Sequence, residues 1–223
     1  MEWIERVQTG QPGWLFISLF VLIAIFAWIR IYYGNILMQT IQASVNFRIT
    51  SKMFEDNSLL QKQLDNILHA IYFLSVGLLV YLAETRYQLF PYGLSGPLLY
   101  LFNMAVLAGI FLARIVLINL VGFLFNRTRI FREYLYNAFI YNKLLGVSVL
   151  PLLVFVLYTT GIVREVFHWA ALLLVFSIII MRMIRGISYS FKKDISIFYL
   201  FLYLCALEIA PLILFYRWLE EIL

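Results

Sequence analysis

A chain of 223 residues that is 64% hydrophobic and 13% charged carries too few charges for a soluble globular domain, where about 25% is usual. Its net charge of +5 is spread between apolar runs rather than gathered in one patch, which argues for membrane orientation and against a nucleic-acid surface. The single cysteine, Cys205, excludes both an intramolecular disulfide and a cysteine-based metal site.

The opening residues, Met1 to Arg6, lack the basic start and small-residue cleavage site of a secretory signal, so the first apolar run, 14–33, reads as a retained helix. After it, Leu37, Ile41, Val45, Ile49 and Met53 recur at four-residue spacing and predict one amphipathic helix over 35–53. Ser58 with Gln61 three residues on fits a capping box that starts the next helix well before its apolar run, 67–83. A turn-rich stretch from Pro91 to Pro97 leads to the run 97–125, long enough that it must tilt or protrude. A second stripe, Ile130, Phe131, Tyr134, Leu135 and Ala138, precedes the run 144–160. The last runs are 167–184 and 197–216.

Lipid leaves backbone polar groups no partners but their own helix or a closed barrel, and the alternation of a barrel is absent. The expected fold is therefore all-α: one integral membrane domain over 1–223, a polytopic bundle of six spans with cytoplasmic amphipathic helix extensions. The basic residues alternate. Arg30, Arg48, Lys52, Lys62, Arg127, Arg129, Arg132, Lys143, Arg185, Lys192 and Lys193 fall on one side, against Arg6, Arg86, Arg164 and Arg217 on the other. This asymmetry puts both termini outside and the basic connections in the cytoplasm. It also accounts for Arg30, Arg114 and Arg182 in the latter parts of spans one, three and five, for which a triplicated hairpin is the alternative. Trp3, Trp14, Trp169, Trp218, Tyr87, Tyr92 and Tyr216 fall where an outer aromatic belt is expected.

Glu208 lies near the middle of the last apolar run, and a carboxylate at that depth costs at least about 2.5 kcal/mol on insertion scales. Arg114 is the basic residue placed deepest in another run. The two helices run antiparallel, so both residues can reach one depth. The expected intramembrane polar site is Arg114 and Glu208, with Asn103 and Asn119 on the third span and Pro211, which frees the carbonyl of Leu207 beside the acid. A buried pair that fixes helix register and a transport site are both open on this pattern, and Asn103 and Asn119 also serve as interhelical hydrogen-bonding groups. Pro151 is expected to kink the fourth span. His69 and His168 lie toward opposite faces and read as interfacial residues. No catalytic motif occurs, so no catalytic residue, cofactor or metal is expected.

The string from Phe198 to Leu212, with its core Leu207-Glu208-Ile209-Ala210-Pro211, resembles an uncharacterised family of small six-span inner-membrane proteins from Bacteroidota, a domain of unknown function. The resemblance implies a Gram-negative inner membrane and no particular activity. The functional expectation is a non-enzymatic subunit or scaffold of an envelope-biogenesis or protein-export complex. The alternative is a small transporter or lipid-handling protein that uses Glu208 and Arg114. Expected partners are membrane lipids and either another membrane protein or a second copy of the chain; nucleic acid is excluded, and no small-molecule substrate is specified.

Overall fold

The structure, a computed structural model, describes residues 12–55, 58–87, 96–124, 126 and 128–192, with side chains through 188. Among the described residues all regular structure is helical: α1 Gly13–Tyr32, α2 Gly34–Val45, α3 Phe47–Glu55, α4 Leu59–Tyr87, α5 Pro97–Leu124, α6 Thr128–Tyr158 and α7 Gly161–Lys192. Five of these, α1 and α4 to α7, are long and apolar enough to cross a membrane. The sixth expected span, 197–216, lies outside the described residues.

The apolar runs at 67–83 and 144–160 are the inner parts of α4 and α6, which continue toward one end of the bundle. At 1.5 Å per residue α6 is about 46 Å long, roughly 15 Å more than a hydrocarbon core. The surplus of α4, α6 and α7 makes a layer of helix at the end that carries most of the Lys and Arg. Ser58 begins α4 as the sequence suggests, its Oγ accepting the Gln61 N–H at 3.4 Å. The Gln61 amide does not return to close the box. It donates instead to the Met53 carbonyl at 2.9 Å and the Tyr136 hydroxyl at 2.8 Å.

Helix α6 is the centre of the bundle, packed between α4 and α7 and also touching α5 and α2. Its Leu145, Val149, Leu153 and Val156 join Leu68, Ile71, Leu78 and Leu82 of α4 in one core. The two helices meet at Gly146, where a Cβ would lie 2.6 Å from the Tyr72 Cα. Only glycine allows that approach. Pro151 lies on an exposed face within α6, and the helix continues through it to Tyr158. Helix α1 buries Leu15, Leu19, Leu22 and Ile29 on one face, and Trp14 packs on Tyr81 and Tyr100 at 5.0 and 5.7 Å between ring centroids. Helix α5 turns Leu101, Leu112, Val116 and Leu120 outward, as hydrocarbon surroundings allow.

The amphipathic segment corrects its expectation in two ways. It is two helices, broken at Asn46, whose backbone is extended (φ −103°, ψ 113°). The Asn46 Oδ1 accepts the Arg48 N–H at 3.0 Å, so the same residue that ends α2 caps α3. The buried face also differs from the apolar stripe. Leu37 and Met53 are buried, but Ile41 and Val45 are 37% and 81% exposed, while Thr40, Ser44 and Thr50 are buried in their place. Thr40 and Ser44 donate to carbonyls of their own helix, Ile36 at 2.9 Å and Ile41 at 2.6 Å, so this polar face can be buried without unpaired hydroxyls.

Candidate functional site

Two polar clusters sit on the extended ends of α4, α6 and α7. The first joins α4 to α6. Lys143 Nζ donates to Asp65 Oδ1 at 2.6 Å, with side chains 1% and 19% exposed, and lies 5.1 Å from the centroid of the Tyr136 ring. One turn along, the His69 Nδ1 is 2.7 Å from the Asp65 carbonyl, and its ring stands edge-on to Phe111 and Phe139. About 15 Å back along α6 from Lys143, Glu133 accepts the hydroxyl of Ser51 of α3 at 2.9 Å.

The second cluster closes around the break between α2 and α3. The last carbonyls of a helix have no intrahelical partner and carry its partial negative charge. The Ser44 carbonyl, one residue from the end of α2, accepts the Tyr141 hydroxyl at 2.7 Å and also Nη1 of Arg185. Arg185 Nη2 reaches across the break to the Thr50 hydroxyl at 2.9 Å, which itself donates to the Ala43 carbonyl at 2.8 Å. A cation from α7 and a hydroxyl from α6 thus fix the orientation of both short helices.

Of the residues that the sequence singled out, Arg114 and Asn103 are buried on one face of α5. They stand eleven residues apart in sequence, roughly 16 Å along the helix. Asn103 Nδ2 donates to Glu84 Oε2 at 2.6 Å, where Glu84 is 3% exposed near the far end of α4. Asn119 is exposed and turns away from both. Arg182 is half-buried on α7. Its Nη1 donates to Asn142 Oδ1 at 3.4 Å. Glu208 and Pro211 lie outside the described residues. His168, expected at the interface, is 2% exposed beside the Tyr87 ring, next to an ion pair between Arg86 and Glu165. Among the described residues no three His, Cys, Asp or Glu side chains converge as a metal site.

Sequence reasoning missed Asp65, Glu84 and the burial of Lys143. Glu84 follows an apolar run and in the sequence marks only the end of that span. Lys143 reads as one of the basic residues that set orientation. The buried Asn103 was the available signal for Glu84, since an amide on an apolar helix needs a partner.

With all regular structure among the described residues helical, and five helices long and apolar enough to cross a membrane, the chain is of the multi-pass membrane class. The chain belongs to the domain of unknown function family DUF4271, whose model matches residues 15–219. No curated protein and no solved structure matches it.

Proposed function

We propose that the protein is a non-enzymatic, six-span subunit or scaffold of an inner-membrane complex that serves envelope biogenesis or protein export. Its basic end faces the cytoplasm and its termini face the periplasm. The observation that carries this reading is the construction of the basic end. Buried hydrogen bonds from Tyr141 and Gln61, and half-buried ones from Arg185 and Ser51, hold α2 and α3 in place. At the start of α4, Leu59 and Leu60 are 76% and 57% exposed, with Lys62 exposed on the same helix and Lys52 exposed on α3. A platform fixed on its inner side and apolar-basic on its outer side suits docking.

The alternative, a transporter using Glu208 and Arg114, draws on the burial of Arg114 within α5. Against it, the buried face of α4 between His69 and Glu84 is mainly apolar, with Ile71, Leu78, Leu79 and Leu82. Its buried Ser75 hydroxyl is spent on the Ile71 carbonyl at 2.7 Å. That stretch is about 22 Å long, too far for one hydrogen-bond step.

Purification from native membranes in gentle detergent tests the scaffold reading. The wild-type chain is expected to retain a stoichiometric membrane-protein partner, and a Lys52→Glu/Lys62→Glu variant of equal thermal stability is expected to lose it. A monomer with a water-filled cavity reaching Glu208 would support transport instead.

A further inference from the structure

A cleft of about 420 Å³ opens beside the break between α2 and α3, bounded by Val45 and Phe47 on one side and by Met181, Ile184, Arg185 and Ser188 of α7 on the other. That volume is in the range of small-molecule sites. We propose that this cleft seats the phosphate-bearing headgroup of an anionic glycerophospholipid, with Arg185 as its cation.

The guanidinium carries five N–H donors and a fixed positive charge. Two of its nitrogens donate to neutral oxygens, the Ser44 carbonyl and the Thr50 hydroxyl. Its Nε is buried without a hydrogen-bond partner, and among the described residues no carboxylate forms a salt bridge with Arg185. Phe47 and Tyr141 each place a ring 5.9 Å from its central carbon, and these rings with the partial negative charge at the end of α2 offset the cation only in part. A second cation, Arg48, lines an adjoining cleft that shares Val45 and Phe47 with the first. Phosphate is the anion that a planar guanidinium recognises best apart from a carboxylate.

The walls decide for a lipid over a free anion. Val45, Ile184 and Met181 are 81%, 59% and 46% exposed at the mouth of the cleft. Apolar side chains that stand open around a cation, on a protein that crosses the membrane, match acyl chains above a phosphate. The basic end of the bundle is also where anionic headgroups are attracted by Lys and Arg. This inference rests on Arg185 and its cleft and is independent of the platform corner invoked above.

The test uses full-length protein, delipidated in detergent and offered dioleoylphosphatidylglycerol or dioleoylphosphatidylcholine, with retained lipid read by native mass spectrometry. Wild-type protein is expected to prefer phosphatidylglycerol by about fivefold, the contribution of one basic residue near a charged headgroup. Arg185→Gln should abolish the preference. Because Arg185 also braces α2 and α3, Val45→Glu supplies a second arm. This residue stands open at the mouth, so the variant should keep its melting temperature and lose the preference. Equal retention of the two lipids by the wild type, or unchanged selectivity in Val45→Glu, would overturn the proposal. So would displacement of the lipid by an equal concentration of glycerol phosphate, which would assign the cleft to soluble anions.

Discussion

Lys143 and Asp65 form an ion pair at 2.6 Å across α6 and α4, and the lysine is the more deeply buried partner, 1% exposed against 19%. A charge withdrawn from water needs a compensating partner, and replacing both members with apolar groups is often neutral. The pair therefore fixes which faces of α4 and α6 meet more than it adds net stability.

This asymmetry gives an ordered prediction. Asp65→Leu strands a buried ammonium and should cost about 3–5 kcal/mol. Lys143→Met leaves a carboxylate with some access to solvent and should cost less. The double variant should recover most of the loss. Thermal unfolding in detergent, followed by tryptophan fluorescence, measures all three, and a double variant as unstable as Asp65→Leu would refute the account.

The close approach at Gly146 makes a sharper test of packing. A Cβ there meets the Tyr72 backbone at 2.6 and 2.8 Å, which cannot move aside as a side-chain tip can. Gly146→Ala should destabilise by about 1–3 kcal/mol, the usual cost of overpacking. Gly109 on α5 is the control, with nothing within 4 Å of its Cβ position. There alanine should be neutral or stabilising by up to about 1 kcal/mol through helix propensity. Equal effects at the two sites would mean that α4 and α6 do not touch in this way.

The helices were legible in the sequence where their periodicity and length spoke together. Five of the six apolar runs fall on α1 and α4 to α7, with ends that differ by a residue or more, and the stripe at Ile130, Phe131 and Tyr134 is the first part of α6. The face of α2 was not legible. A four-residue apolar repeat marks the buried side only when the partner surface is apolar, whereas here the partners are Tyr141 and Arg185. The Lys143–Asp65 pair was hidden for a related reason. Its members are 78 residues apart, and nothing local distinguishes a buried lysine from one that sets topology. Glu208, from which the sequence reading of the site began, lies outside the described residues.

Orientation can be checked directly. With the basic end in the cytoplasm, a cysteine replacing exposed Thr160, in the tight connection before α7, should react with an impermeant maleimide added to intact cells. One replacing exposed Lys52 on α3 should react only after lysis. The background cysteine is Cys205, to be changed to alanine first. Labelling of Lys52→Cys in intact cells would reverse the topology.

The pairing proposed for Arg114 and Glu208 separates a structural role from a functional one. Arg114 is 9% exposed on α5, so its charge is held inside the bundle. If Glu208 is its counter-charge, Glu208→Gln should destabilise the protein by about 3–5 kcal/mol, as breaking buried pairs does in soluble precedents. Arg114→Met combined with Glu208→Leu should then recover much of that loss. Arg182 is the other guanidinium partly buried among the long helices, so Arg182→Met in place of Arg114→Met tells which guanidinium the acid answers. The two readings diverge in the stable double variant. A scaffold should keep its partner and support growth as the wild type does, because register survives without the charges. A transporter should be folded but inactive, because the acid itself carries or releases the transported species. Additive losses in the double variant would rule out the pair and leave Glu208 to a different partner.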